Sequence, residues 1–197
     1  MRKDKNYYIS KCESNGYSTE VFETDLAYTS DQLAALYRCL ELGYPTENAE
    51  DTSKNSFEML CAGICDKFGW ENKVTSDVPA YTFYQILRMR SVGAPFAEVL
   101  KYEKHPTNLE FIADAYERGD DYLPYLKEGF DFEQAACIVD AEAEGINLLD
   151  YVDKNYTSEH MREILEALED NADVTPLLDP ELPLDQVIEI REEISYC

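Results

Sequence analysis

Apart from its carboxylates, the chain has few residues that could do chemistry. Cys61 and Cys65 are four residues apart, which places both thiols on one face of a predicted helix. A structural zinc site needs four ligands, and the two histidines, His105 and His160, have no cysteine beside them. A cysteine nucleophile needs a paired base, and no nucleophile signature is present. We therefore expect buried thiols, no metal, no cofactor and no catalytic residue.

Carboxylates are so abundant that two of them close together in the sequence do not indicate a catalytic acid/base pair unless the geometry is known. The sequence has 41 Asp and Glu against 17 Lys and Arg, which gives a formal net charge of −24. The sequence contains no calcium-binding loop, no phosphate-binding loop and no Gly-rich dinucleotide turn. We expect a protein that is not an enzyme. An enzyme with an unrecognised site would need a defined pocket, which the sequence does not reveal.

The negative charge is concentrated in the second half of the chain. Residues 1–55 have a net charge of −4, residues 56–105 have none, and residues 106–197 have −20. Such an acidic block is typical of disorder, but apolar residues at helical spacing run through it and indicate a core. The acids must then lie on the outer surface. That surface should repel nucleic acid and membranes and attract basic protein surfaces.

The location of the protein is predicted from features that the sequence lacks. There is no run of about 18 apolar residues, which a membrane-spanning helix would need. The first ten residues include basic side chains but no apolar segment of a secretory signal. We expect a cytoplasmic protein whose six cysteines stay reduced.

A 26-residue repeat predicts the elements that must position these side chains. Gly93, Gly119, Gly145 and Asn171 recur at this spacing, and each follows a helical apolar pattern. Each unit is expected to contain a helix of about 13 residues, a left-handed residue that ends it, and a second helix of about two turns. Because such units bury their apolar faces against their neighbours, they form a stacked array.

The sequence therefore predicts a mainly α-helical array of 26-residue repeats with a small N-terminal β-hairpin region. In the hairpin, two segments rich in aromatic and β-branched residues, Tyr7–Ile9 and Tyr17–Phe22, flank a turn at Glu13–Gly16. A diverged first repeat follows, and Thr29 to Gln32 have the pattern of a capping box.

Three segments are predicted along the chain. Residues 1–55 comprise the hairpin and the first helical repeat, and residues 56–79 form an irregular helical connector. Residues 80–197 form the repeat array. Its units lie near residues 80–105, 106–131, 132–157 and 158–183, with a terminal helix over residues 184–196.

When the repeats are aligned, one position outside the predicted apolar face of the helix is acidic in successive units. Five residues before each turn, or at the same place in the last helix, the acidic half has Asp114, Asp140, Glu166 and Glu192. Since neighbouring helices pack about 8–10 Å apart, these side chains should form a regular row. Four more acids on nearby columns extend it: Glu117, Glu163, Glu169 and Glu189. We call these eight residues the acidic ladder. The ladder is either a solvated face that maintains solubility or a partner-binding face.

The last units resemble short helical repeats of uncharacterised proteins on mobile elements, namely phages, plasmids and conjugative transposons, of gut Firmicutes. The matching segments are His160–Ile164, Leu168–Val174 and Leu178–Pro180, and Gln186–Arg191 matches the opening of a further unit. The resemblance covers residues 106–197 clearly and 80–105 weakly. It implies an accessory protein of a mobile element, and it implies no reaction.

Two functions of different classes are consistent with these features. The first is an inhibitor that mimics nucleic acid and blocks the basic groove of a host defence nuclease, of the anti-CRISPR or anti-restriction type. The second is a passive interaction scaffold that binds through apolar and tyrosine surface. A nucleic-acid binder could stack bases on the rings of Tyr122, Tyr125 and Tyr151. All three occupy apolar positions of the aligned repeats, so we expect them in the core.

Overall fold

The computed structural model describes residues 4–195, and these residues form helices joined by short turns. The chain divides into two compact units, Met1–Ala94 and Pro95–Cys197. Among residues 4–195 there is no β-strand. The prediction of a mainly α-helical protein is therefore confirmed, and the prediction of an N-terminal β-hairpin is wrong.

The segment predicted as a hairpin begins with helix α1, Lys5–Asn15, and continues to a 3-10 turn at Glu20–Phe22. The side chain of Asp4 accepts a hydrogen bond from the backbone N–H of Tyr7 and caps the start of α1. Gly16 has a φ of 73° and ends the helix. The segment Glu13–Gly16, which the sequence predicts as a hairpin turn, is thus the C-terminal end of a helix.

Packing explains why this aromatic segment is helical. Tyr8 and Cys12 are one helical turn apart, and both are buried. The ring of Tyr8 lies 5.9 Å from that of Phe22 and 5.6 Å from that of Tyr37. The strand preference of aromatic residues depends on their surroundings, and here a helical spacing puts the apolar side chains on the core.

Three longer helices complete the first unit, and α3 packs against both of its neighbours. They are α2, Ser30–Glu41; α3, Ser56–Phe68; and α4, Ala80–Ser91. The capping box predicted at Thr29 and Gln32 is confirmed. Asn55 and Glu58 form the same box at the start of α3. Helix α3 thus begins one repeat period after α2 and in the same way.

The second unit contains six α-helices within the described residues, and two 3-10 turns. The helices are α5, Phe96–Tyr102; α6, Pro106–Arg118; α7, Leu123–Glu128; α8, Phe132–Ala143; α9, Ser158–Glu169; and α10, Leu184–Ser195. The 3-10 turns are at Leu148–Asp150 and Thr175–Leu177. The long helices begin at residues 106, 132, 158 and 184, so the period of the sequence repeat is present in the structure. Helix α9 packs between α8 and α10.

The repeated turns have the backbone conformation that the sequence predicts. Gly93, Gly119 and Gly145 have φ values of 79°, 101° and 78°. Asn171 has a φ of 58°, and among the described residues no other non-glycine residue has a positive φ. This left-handed conformation is the one that ends each long helix.

Buried polar side chains of α2 and α8 tie these helices to the segment that precedes the next long helix. Gln134 accepts a hydrogen bond from the backbone of Asp131, and its Nε2 donates to the carbonyl oxygens of Lys154 and Tyr156 at 3.3 and 2.6 Å. Gln32 makes the equivalent bonds in the first unit. Because these side chains are buried, the bonds fix the register of neighbouring repeats.

Candidate partner-binding surface

The buried cysteines are structural in the described part of the chain. Cys61 and Cys65 are buried in α3, and the thiol of Cys61 donates to the carbonyl oxygen of Ala80 at 3.4 Å. Burial raises the pKa of Cys39 to about 12 and also raises the pKa of Cys61. Thiols with a raised pKa stay protonated near neutral pH and are poor nucleophiles. Residues 4–195 contain no group of three side chains that could hold a metal ion.

His160 occupies the same position in α9 as Gln134 in α8. It is 3% exposed, and its Nε2 lies 2.9 Å from the carbonyl oxygen of Leu177. Its ring meets that of Tyr156 edge-on, with centroids 5.0 Å apart. The imidazole therefore replaces a glutamine as a link between repeats, and it has no access to a substrate.

The acidic ladder lies on the four long helices of the second unit. Asp140, Glu166 and Glu192 are exposed, and Asp114 is half-buried. Of the four additional members, Glu117, Glu169 and Glu189 are exposed and Glu163 is half-buried. The helical spacing thus places most of the ladder on the outer surface, where the sequence predicts it.

Arg191 neutralises one end of the ladder. Its Nε donates to Glu163 Oε2 at 2.9 Å, and its Nη2 lies 3.4 Å from Glu166 Oε2. The hydrogen bond from Arg191 to Glu163, followed by the nearby carboxylates, raises the pKa of Arg191. This ion pair joins α10 to α9, so Glu163 and Glu166 have a structural role besides any contact with a partner.

Internal cations cannot balance the charge of the second unit. Residues 95–197 contain 27 acidic side chains and 7 Lys or Arg. Some of these cations are already paired within the unit, for instance Lys101 with Glu98 and Arg118 with Asp120. The unit therefore has an excess of twenty negative charges.

The three tyrosines of the apolar columns differ in their environments. Tyr122 is buried and stacks on Phe132 with ring centroids 5.7 Å apart, and burial raises its pKa to about 12. Tyr125 is half-buried, and its hydroxyl donates to the carboxylate of Glu142 at 2.5 Å. Tyr151 is 38% exposed. The prediction of a core position is therefore confirmed for Tyr122 and wrong for Tyr151.

Two grooves that the sequence did not reveal lie beside successive repeat turns of the second unit. The first turn groove, of about 300 Å³, lies between the segment after α6 and the end of α8, and is lined by Asp120, Asp121, Tyr125, Val139 and Glu142. The second turn groove comprises adjoining cavities of about 510 and 370 Å³ after α8 and at the end of α9. Its lining includes Glu144, Ile146, Asp150, Tyr151, Leu168 and Glu169.

The two grooves are related by the repeat. Gly119 and Tyr125 line the first groove, and their counterparts one repeat later, Gly145 and Tyr151, line the second. Each groove has three carboxylates and a tyrosine, and none of the described residues that line either groove is Lys, Arg or His. The grooves were missed because they combine side chains from two units of the repeat, and a single column does not show that combination.

Comparisons with protein-family models, with curated proteins and with solved structures found no match. Within residues 4–195 no helix is long and apolar enough to cross a bilayer. The function must therefore be argued from the surface itself.

Proposed function

We propose that this protein is a non-enzymatic, acidic inhibitor that mimics nucleic acid and occupies a basic groove of a host defence nuclease, of the CRISPR-associated or restriction type. The observation behind this proposal is the unbalanced charge of the second unit, with 27 acidic and 7 basic side chains on a folded helical frame. The resemblance to repeat proteins of mobile elements supplies the setting, and we place the protein in the cytoplasm, where such nucleases act.

Electrostatics explain how such a surface would act. A nuclease groove is lined with Lys and Arg that pair with phosphates, and their binding to nucleic acid falls steeply with salt. Carboxylates on packed helices, whose axes lie about 8–10 Å apart, offer those cations an alternative partner. Rigid placement matters because the inhibitor then loses little conformational entropy when it binds.

A second function, a passive scaffold of a mobile element, is favoured by one observation. Leu149 and Tyr151 lie on the same turn and are 37% and 38% exposed. An interface built on such side chains would depend on apolar burial, which salt barely screens. The two functions therefore differ in their salt dependence.

The test is competition with nucleic acid. The full-length protein is titrated into a panel of purified CRISPR-associated and restriction nucleases, and both substrate cleavage and displacement of labelled nucleic acid are measured between about 50 and 500 mM salt. We expect inhibition of at least one nuclease, displacement of its nucleic acid, and affinity that falls steeply as salt increases. Binding that is insensitive to salt and leaves the nucleic acid in place would support the scaffold and overturn the inhibitor.

A further inference from the structure

Phe111 on α6 is 53% exposed, more than any other large apolar side chain of residues 4–195. It lies one repeat before Cys137 of α8 and two repeats before Glu163 of α9. Both of these equivalents contact the repeat that follows them. The thiol of Cys137 donates to the carbonyl oxygen of Ser158 at 3.5 Å, and Glu163 accepts a hydrogen bond from Arg191. Phe111 therefore occupies a position that the following repeat covers in α8 and α9, but here about half of the side chain is open to solvent.

The packing of the helices explains this exposure. Helix α9 packs closely against α8 and α10, whereas α6 and α8 do not form such a pair in the part of the chain that the structure describes. The ring of Phe111 meets only the ring of Phe132 at the start of α8, with centroids 6.1 Å apart. Phe132 is half-buried and stacks on the buried Tyr122, with centroids 5.7 Å apart. The three rings form an aromatic row from the core to the surface, and Phe111 is its exposed end.

The sequence around this exposed end is acidic. Residues 107–115 and 130–136, which include the two outer rings of the aromatic row, contain no Lys, Arg or His. Asp114, the first carboxylate of the acidic ladder, follows Phe111 by three residues, so the two side chains are neighbours on the surface of α6. Three further acids lie in these two segments: Glu110, Asp131 and Glu133. The charge beside the ring therefore favours a cation over an anion.

Comparable rings in the first unit already have a cation from the chain itself. The guanidinium carbon of Arg90 lies 4.0 Å from the ring centroid of Trp70, and Nζ of Lys67 lies 5.8 Å from that of Phe68. Among the described residues, no Lys or Arg lies over the ring of Phe111. Because the face of an aromatic ring attracts cations, the ring of Phe111 is open to a cation of a partner.

We infer that Phe111 stacks with an arginine side chain of the partner protein. This inference rests on the proposed function and names a contact residue and the side chain that it takes. A guanidinium is planar and weakly hydrated, so it stacks on an aromatic face, whereas the ammonium of lysine is compact and strongly hydrated. Aromatic residues and arginine are also enriched at protein interfaces. The negative charge of the second unit attracts a basic surface, and Phe111 selects an arginine within it.

Two peptides of equal charge test this inference. The probes are a synthetic peptide with five arginines separated by glycines and the same peptide with lysine in place of arginine. Binding to the full-length protein is measured by calorimetry at about 50 mM salt, where electrostatic attraction is weakly screened. The measured quantity is the preference for arginine, which is the ratio of the two dissociation constants. The ratio removes the contribution of general acidity, which both peptides share.

Phe111→Leu is the variant that separates the aromatic face from apolar contact. Leucine keeps an apolar side chain beside Phe132 but offers no ring to a guanidinium. We expect this variant to reduce the preference for arginine about threefold, the effect of one cation–π contact at an exposed site. Phe111→Trp should keep or increase the preference, because Trp provides the best cation–π face. Circular dichroism checks that both variants are folded.

Phe68→Leu is the matched control. Phe68 is also exposed and also stacks on a second ring, that of Trp70, with centroids 4.5 Å apart. It lies in the first unit, where Lys67 is already beside its ring. We expect Phe68→Leu to leave the preference for arginine unchanged. With a nuclease that the wild-type protein inhibits, Phe111→Leu should weaken inhibition about threefold and Phe68→Leu should not.

The outcomes distinguish this inference from the proposed function. An unchanged preference for arginine in the folded Phe111→Leu variant, or an equal reduction by both Leu variants, would overturn Phe111 as the arginine site. If the wild-type protein still displaces nucleic acid from a nuclease in that case, the proposed function remains and another part of the surface makes the contact. If the wild-type protein binds neither peptide, the inference is wrong. If it also inhibits no nuclease, the proposed function is wrong as well.

Discussion

Arg191 on α10 bridges two carboxylates of α9, with its Nε 2.9 Å from Glu163 Oε2 and its Nη2 3.4 Å from Glu166 Oε2. The guanidinium and Glu163 are largely covered, with side-chain exposures of 24% and 15%. This ion pair joins α10 to α9 beside the apolar contacts of the buried Val187, in a unit that is otherwise strongly acidic. It also reduces the negative charge of the ladder at its C-terminal end.

Removal of this cation should loosen α10. We expect Arg191→Met to lower the free energy of unfolding by about 1 kcal/mol, the upper range for a partly exposed ion pair, and to speed amide hydrogen exchange in α10 more than in α8. Arg191→Lys is the control, because it keeps the charge but loses the two contacts that a guanidinium can make. We expect its free energy of unfolding to lie between those of the wild type and the Met variant. Uniform exchange rates in the Met variant would show that the pair has no local role.

The buried link between repeats predicts a larger loss of stability. Gln134→Leu leaves the carbonyl oxygens of Lys154 and Tyr156 without their donor, and buried unsatisfied groups cost about 1–3 kcal/mol. Gln134→His is the matched variant, because His160 fills the equivalent position in α9, and we expect it to lose less. Chemical denaturation measures both. A Leu variant as stable as the wild type would mean that the link does not hold the register.

The turn at Asn171 should tolerate glycine and resist alanine. Its φ of 58° lies in the left-handed region, which costs most residues about 1–2 kcal/mol and costs glycine little. We expect Asn171→Ala to lower the free energy of unfolding by about 1 kcal/mol and Asn171→Gly to change it by less than about 0.5 kcal/mol. Gly145→Ala, at the preceding turn with a φ of 78°, should behave like Asn171→Ala. Thermal denaturation of the three variants tests this directly.

Thiol reactivity tests whether the cysteines are structural. In a Cys197→Ser background we expect the five buried thiols to resist a thiol reagent at pH 8 until the chain is unfolded. Because burial raises the pKa of Cys39 from 9.0 to about 12, this thiol does not change the free energy of unfolding below about pH 9. The free energy of unfolding then falls as the pH rises from about 9 to about 12, where the unfolded chain has lost the thiol proton and the folded chain still holds it. Rapid labelling of the native protein would contradict this. Labelling in denaturant is the positive control.

Features that depend on one position of the aligned repeats could be predicted from the sequence. Features that depend on a contact between two positions could not. The left-handed turns at Gly119, Gly145 and Asn171 follow from residue type at a fixed spacing, and the helix boundaries followed from them. The prediction of a hairpin turn at Glu13–Gly16 is wrong because Asn and Gly occur at the ends of helices as well as in hairpin turns. The packing of Tyr8 against Phe22 and Tyr37 decides between the two.

The contact sites could not be predicted for a related reason. Glu163 and Arg191 are 28 residues apart, slightly more than one repeat, so their pairing is invisible in aligned columns. Similarly, Tyr125 bonds Glu142 across 17 residues because the short helix α7 packs against α8. Such contacts depend on how neighbouring units are shifted relative to each other. The repeat period predicts that the units stack, but it does not predict this shift.

The acidic ladder gives the last prediction. Under the proposed function, replacing Asp114, Asp140, Glu166 and Glu192 with Lys should abolish inhibition of the nuclease, because a basic groove would meet charges of its own sign on four neighbouring helices. We expect the helices to remain folded, since three of the four side chains are exposed and exposed charges contribute little to stability. Circular dichroism and nuclease inhibition are measured on the same samples.

The structure adds a control to this experiment. A Lys at position 166 would lie beside Arg191, whose Nη2 is 3.4 Å from the present carboxylate, so the quadruple variant should also loosen α10. The triple variant that keeps Glu166 avoids this repulsion, because the ion pair remains intact. If the folded triple variant inhibits as well as the wild type, the ladder is not the contact face. If it has lost inhibition while α10 exchanges its amide hydrogens at the wild-type rate, the loss is due to charge and not to a displaced terminal helix.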